Sequence, residues 1–351
     1  MSKEDIRFTW HYDPKDTFDP PPSDQPVTVY ADPGPSQGSD SWHIYYFGKG
    51  EAGALEVTRN ARNYTLILQP PASDLPITTI WSGRGPALTI EGGTVFYDSS
   101  LNEKSTFWID TPSATLTIGE GGSLRIGAIG GGDVIYQDDV NPNVKDRVFM
   151  LNQDGSFELE ANGGHNSHGS TFILNDTSLM TTSGRMLVFE NGAFILKDSA
   201  KLTATARENI LIFEDNPSIS LQDRATAQFY SDSPSFDRDR GSSFTLNPGS
   251  AMLNFFPMTE GAEPFTFGIG KYPKAMFNFI KDPGHPNESR IFIPGKNVQA
   301  AFLRQAMLKD QVLAINGTIT QDADLIDQKT ETIDTPYGSC YGTWIFLSKK
   351  P

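Results

Sequence analysis

The sequence predicts an all-β fold, a parallel β-solenoid, and three observations carry that prediction. The first is a recurring phrase: a short apolar strand, a polar residue, a small turn, then another short strand. It runs from Phe107-Trp108-Ile109-Asp110 into Ala114–Ile118, and from Phe149-Met150-Leu151-Asn152 into Ser156-Phe157-Glu158-Leu159-Glu160. It returns at Phe172-Ile173-Leu174-Asn175, Leu187-Val188-Phe189-Glu190, Leu211-Ile212-Phe213-Glu214 and Phe244-Thr245-Leu246-Asn247. A unit too small to bury its own apolar face has to stack on copies of itself. The second observation is punctuation. Glu91-Gly92-Gly93, Gly119-Glu120-Gly121-Gly122, Asn162-Gly163-Gly164, Glu190-Asn191-Gly192 and Asn247-Pro248-Gly249 place turns between the strands. The third is composition. Only 37% of residues are hydrophobic, yet 23 Phe and 11 Tyr supply large buried area per residue, which separates the chain from a disordered one.

From the start, residues 1–50 have a composition of their own. Asp19-Pro20-Pro21-Pro22-Ser23 and Asp32-Pro33-Gly34-Pro35 favour extended and turn backbone. Trp10, Tyr12, Phe18, Tyr30, Trp42, Tyr45, Tyr46 and Phe47 are too many aromatics for a free tail. This segment is expected to be an ordered, aromatic and Pro-rich N-terminal cap, since a terminal coil left bare exposes an apolar end and unpaired strand edges.

Residues 51–257 are expected to form the solenoid, with alternation visible in Ser156-Phe157-Glu158-Leu159-Glu160 and in Ser218-Ile219-Ser220-Leu221. The polar residues that close the apolar triplets (Asp110, Asn152, Asn175, Glu190, Glu214 and Asn247) recur irregularly, several of them near one coil of roughly 20–25 residues. Irregular spacing implies inserted loops, where solenoids place function, and 130–146, 163–169 and 231–242 are the candidates. Residues 258–351 change character. After a Gly-, Pro- and Phe-rich stretch, 297–311 predicts the one good helix, with Val298, Ala301, Phe302, Gln305, Met307 and Leu308 on one face. Strands are expected at 311–315 and 343–348, giving a small mixed α/β C-terminal cap or interaction region.

A formal charge of −15 argues against nucleic acid and anionic membrane as partners, while leaving room for cationic ones. The single cysteine, Cys340, excludes an internal disulfide and reads as a buried structural thiol in or beside a strand. The opening Met1-Ser2-Lys3-Glu4-Asp5 has no basic and apolar leader, and no run reaches the length of a membrane-spanning helix. The expectation is a protein that stays in the cytoplasm, leaves by a route needing no cleaved signal, or is written here in mature form.

Motifs for chemistry are sparse. His165-Asn166-Ser167-His168 is the one clustered pair among five His, and two imidazoles in a loop suit Zn²⁺ if other ligands converge. Asp138 and Asp139 are the neighbours that stacking would offer; the plainer reading is a polar surface loop. The same Asp138, Asp139 and His165 are the candidates for a polysaccharide lyase or hydrolase, which needs two or three carboxylates within a few ångströms. Their order is similar to that of polygalacturonase motifs. The Asn-Thr-Asp element before the Asp pair is absent, however, and the Gly-His is followed by Asn, with no Arg-Ile-Lys after it. Asp237-Arg238-Asp239-Arg240 carries the charges a Ca²⁺-dependent lyase uses, and equally suits a solvated loop. Nucleophile elbow, P-loop, dinucleotide fingerprint and HExxH are all missing, so no cofactor is expected. The Gly-rich run 127–132 leads into no helix pattern and reads as a tight bend.

Ala114-Thr115-Leu116-Thr117-Ile118-Gly119-Glu120-Gly121-Gly122-Ser123-Leu124-Arg125-Ile126 and Ser243-Phe244-Thr245-Leu246-Asn247-Pro248-Gly249 resemble the passenger domains of bacterial autotransporters and related surface adhesins. The resemblance covers roughly residues 85–257 and is one of repeat grammar. It implies a right-handed parallel β-helix with a binding or structural role, although neither a secretion signal nor a C-terminal translocator barrel accompanies it. The resulting expectation is a non-catalytic, rod-like, adhesin-like protein, bacterial or phage-associated. It would engage a protein or glycan ligand through loops on one face and could self-assemble into homo-oligomers or filaments. The alternative is the glycan-cleaving enzyme above.

Overall fold

Alternating burial sets the strands. In Arg147–Leu151 and Ser170–Leu174 every second side chain is buried and those between are half-exposed, the pattern of a strand with one face on a core. The computed structural model describes residues 6–10, 16–33, 43–47, 55–69, 78–81, 85–101, 106–109, 114–128, 134–136, 147–161, 164–167, 169–239, 241–268, 270–295 and 302–349. They fall into two units, Met1–Arg185 and Met186–Pro351. Each is dominated by parallel strand pairs and is solenoid-like.

In the first unit three ladders run side by side. One joins Asp16–Phe18, Leu55–Val57, Gly85–Ile90, Ala114–Ile118, Arg147–Leu151 and Ser170–Leu174, all parallel. A second joins Val27–Pro33, Tyr64–Leu68, Thr94–Asp98, Ser123–Ala128, Ser156–Ala161 and the start of Leu179–Glu190. The third joins His43–Phe47, Thr78–Trp81, Thr106–Ile109, Val134–Tyr136 and Gly164–Ser167. Ile6–Trp10 lies parallel to Val27–Pro33, so the ladders extend into the segment expected as a cap.

The third ladder explains the irregular spacing of the recurring phrase. Phe107-Trp108-Ile109 belongs to it, whereas Phe149, Phe172 and Phe244 sit on the first ladder of their units. Within one ladder the period is plain. In the first unit Phe149 pairs with Phe172, 23 residues on, and in the second Phe194, Ile219 and Phe244 pair in turn at intervals of 25. Other coils are longer, with 33 residues between Leu116 and Phe149. The three stretches expected as inserted loops each hold a short ladder strand instead: Val134–Tyr136, Gly164–Ser167 and Pro234–Phe236. Strands of three or four residues between Gly- and Asp-rich flanks have no room for a visible alternation.

First and second ladders are joined by a four-residue turn that repeats in shape. Gly122, Gly155, Ser178, Ala200 and Ala225 each donate a backbone N–H to the carbonyl three residues earlier. The second turn residue is left-handed each time: Glu120, Gln153, Asp176, Asp198 and Asp223, with φ of 50–56°. Asn and Asp tolerate that region best among residues with a Cβ.

In the second unit, Ala193–Leu196, Ser218–Asp223, Ser243–Gly249, Phe277–Phe279 and Leu313–Ile315 pair in parallel, and Thr318–Ile319 then turns back antiparallel. Lys201–Glu214, Thr226–Tyr230, Met252–Phe256 and Arg290–Pro294 form the neighbouring ladder. This too ends antiparallel, on Gly338–Leu347, which pairs in turn with Ile326–Thr335. The core is aromatic. Phe213 stacks on Phe189 at 5.1 Å and on Phe236 at 5.0 Å, and Phe229 stacks on Phe255 at 5.3 Å. Such pairs add about 0.5–1.5 kcal/mol each beyond the area they bury.

The predicted helix forms at Leu303–Lys309 and buries Met307 and Leu308, whereas Phe302 is 60% exposed; Val298 and Ala301 lie outside the described residues. The predicted strand at 311–315 is Leu313–Ile315, and that at 343–348 is the end of Gly338–Leu347. No helix among the described residues is long and apolar enough to cross a membrane.

A Cβ on Gly155 would lie 2.4 Å from the Ile118 carbonyl oxygen of the coil before, while one on Gly119 meets nothing within 4 Å. Gly155→Ala is therefore expected to destabilise the fold by about 1–3 kcal/mol. Gly119→Ala should stay within about 0.5 kcal/mol of the parent. Urea unfolding of the two variants side by side checks the difference.

Candidate functional site

Stacked turns engage several polar side chains of the first unit. Asn175 Nδ2 donates to Asn152 Oδ1 at 2.8 Å, Gln153 N to Asp176 Oδ2 at 2.9 Å, and Thr177 Oγ1 to Asp154 Oδ1 at 2.6 Å. Each bond joins one coil to the next. These carboxylates hold the stack and are not poised for acid–base chemistry.

Of the residues singled out from the sequence, Asp138, Asp139 and His168 lie outside the described residues. His165 lies on Gly164–Ser167, in register with Val134; its side chain is not described. Among the described residues no three His, Cys, Asp or Glu side chains are grouped to hold a metal ion. In the stretch 231–242 the acids are engaged locally. Asp232 accepts from Met258 N at 2.6 Å and from Thr259 N at 2.8 Å, and it also takes the Thr259 hydroxyl at 2.6 Å. Asp237 accepts from Asp239 N at 2.9 Å, closing a turn.

Two concavities stand out, both within the second unit. The first is a cleft of about 200 Å³ between the segment 257–262 and the turn that joins Ile326–Thr335 to Gly338–Leu347. Of its lining, Cys340 belongs to a buried cluster with Tyr230, Phe256, Phe292 and Trp344. Tyr337, at the turn, packs its ring 5.4 Å from Tyr230 and remains 40% exposed. Arg290 lies over Trp344 at 4.2 Å, and the indole Nε1 donates to Glu331 at 2.7 Å, so Trp344 is held in the cluster from both sides. Desolvation pushes the Cys340 thiol up to about 11, which keeps it protonated and unreactive near neutral pH.

The second is an open groove of about 540 Å³ whose walls include Asp223, Asn247, Asp282 and His285. His285 Nδ1 lies 2.9 Å from Asp282 Oδ2, and Gly284 N donates to Asp282 Oδ1 at 2.9 Å. Those two bonds, the backbone one foremost, hold the Asp282 carboxyl below the usual carboxylate range. A carboxylate so stabilised is a poor general acid.

Elsewhere in the second unit Glu214 is held above its ordinary value, first by desolvation and then by the carboxylates of Glu190, Asp237 and Asp215. Comparison with protein-family models, with curated proteins and with solved structures found no match.

Neither cleft nor groove was anticipated from the sequence. Pro336-Tyr337-Gly338 is a turn signal, but Ile326–Thr335 is polar on both faces and shows no alternation to mark it as a strand.

Two outcomes are expected. Because the folded chain binds the Glu214 proton more tightly than the unfolded one, stability is lost as pH rises through the raised pKa. Glu214→Gln should raise the melting temperature at about pH 7.5, and that gain should vanish near pH 3.5, where the carboxyl is protonated in both states. Cys340 should react with a thiol reagent only slowly in the native protein and at the ordinary rate in denaturant.

Proposed function

We propose that this chain is a non-catalytic binding or structural protein, adhesin-like, that engages its ligand through the cleft beside Tyr337. The reading takes the coils as a right-handed parallel β-helix, with the antiparallel hairpin Ile326–Thr335/Gly338–Leu347 serving as the C-terminal cap. The observation that carries it is the cleft itself. An exposed ring beside a buried aromatic cluster, with hydroxyls and an inert thiol in the lining, has the features of a recognition surface. The turn-to-turn bonds of the first unit support it, since they commit Asp154 and Asp176 to structure.

Self-assembly by stacking of coils is disfavoured at one place. Among the described residues, Ile326–Thr335 pairs on one side only and carries Asp327, Lys329, Glu331 and Asp334. Charged side chains on an edge strand discourage a further strand from adding there. Copies that associate therefore do so through other surfaces.

A second reading, a polysaccharide lyase or hydrolase, draws on the groove where Asp282 and His285 sit beside Asp223. Incubation with a panel of neutral and acidic polysaccharides, followed by reducing-end and unsaturated-product assays, separates the two. The expected result is no product from the parent chain. Product formation that Asp282→Asn abolishes would overturn the binding reading.

A further inference from the structure

We infer that the cleft beside Tyr337 receives the guanidinium of an arginine side chain presented by a partner polypeptide. The inference rests on the binding reading above and names its ligand class. It follows from which hydrogen-bonding groups around the cleft are already engaged. The Thr259 hydroxyl donates to Asp232 Oδ2 at 2.6 Å, the Thr335 hydroxyl to the Gly338 carbonyl at 2.8 Å, and the Ser339 hydroxyl to Asp334 Oδ1 at 2.7 Å. All three hydrogens are engaged within the chain, and Thr335 Oγ1 also accepts from Tyr337 N at 3.1 Å; what the hydroxyls still offer is lone pairs. Glu260, in the same lining, is exposed and makes no hydrogen bond or ion pair. Among the described residues no Lys, Arg or His lines the cleft.

Apart from the phenol O–H groups of Tyr337 and Tyr341, the side chains of the lining offer acceptors, and that balance discriminates among ligands. A phosphate or carboxylate would find only those two side-chain donors and would face Glu260. A sugar hydroxyl donates and accepts at once and has no use for a net negative charge. A guanidinium donates through five N–H groups and accepts nothing, which matches the inventory. Its flat face suits the exposed Tyr337 ring while its fork addresses a carboxylate, a combination the compact lysine ammonium does not offer. The cleft, about 200 Å³, also lies below the roughly 300–1,000 Å³ of ordinary small-molecule pockets, and fits a single anchoring side chain. A net charge of −15 steers a cationic partner toward the chain from any direction, and the cleft gives it one place to seat.

The test is fluorescence anisotropy with a labelled peptide of alternating Arg and Gly, its citrulline counterpart (the same shape, uncharged) and its lysine counterpart. The Arg peptide is expected to bind at least about tenfold more tightly than the citrulline one and several-fold more tightly than the lysine one. Glu260→Gln and Tyr337→Ala should each weaken it by about fivefold. Asp24→Asn, which removes the same charge from an exposed position in the first unit, should change it little. Equal binding of the Arg and citrulline peptides overturns the inference. So does an Asp24→Asn loss as large as that of Glu260→Gln, because the attraction would then be diffuse. Retention of an oligosaccharide that Tyr337→Ala abolishes, with the Arg peptide silent, overturns the arginine assignment and leaves the binding reading standing. Cleavage of a polysaccharide removes both.

Discussion

An inward side chain in this protein is buried because the same position of the next coil lies against it. Phe149 and Phe172 show the constraint at its barest: in register, 23 residues apart, their rings stacked at 4.5 Å. A single coil has no interior, since about 25 residues of extended chain enclose only what the neighbouring coils close off. Register is therefore the quantity on which burial depends. A slip of one residue would turn every inward Phe outward and every outward Thr inward.

The turns follow from that requirement. For strands to stay aligned, the chain must change direction at the same height in each coil, and it does so through a repeated turn with one left-handed residue. Cross-coil bonds such as Asn175 to Asn152 then tie each turn to the one before. Regularity of this kind leaves little freedom for function along the stack. The side chains best placed to converge on a ligand are the ones that hold the coils together. Freedom returns where the parallel pattern ends. The antiparallel hairpin Ile326–Thr335/Gly338–Leu347 pairs with a coil through one strand only, and it brings Tyr337 and Tyr341 against a loop that begins more than sixty residues earlier in the chain.

This division accounts for what the sequence disclosed. Strands with a strong apolar alternation, among them Tyr64–Leu68, Ala114–Ile118 and Ser243–Gly249, were legible, because period two is a local property. The third ladder was legible only in part: Phe107-Trp108-Ile109 shows as one of the recurring phrases, whereas Val134–Tyr136, like Pro234–Phe236 in the second unit, is three residues long and exists through pairing with a strand a coil away. Cys340 was legible as a buried thiol from its apolar and glycine neighbours, while Tyr337 gave no sign of its place, since only the tertiary pairing sets its ring beside Tyr230. The longest strand pair near the end of the chain was the hardest to foresee, as Ile326–Thr335 alternates polar with polar.

The acidity of the chain takes on a different meaning in this light. Among the described residues twelve other than glycine adopt left-handed backbone, and five of them are acids: Glu120, Asp176, Asp198, Asp215 and Asp223. Asp is used there because its short side chain tolerates the conformation and reaches nearby backbone N–H groups, as Asp176 reaches Gln153. Part of the negative charge is thus a by-product of turning the chain at the same point in successive coils, and it exacts the crowding seen at Glu214. Net charge alone therefore says little about the partner. An unpaired carboxylate counts for more where no left-handed backbone calls for it, and Glu260, in the turn closed by Ala262 N and Thr259 O, stands in such a place, lining a cleft whose Thr259 and Ser339 hydroxyls have already committed their protons.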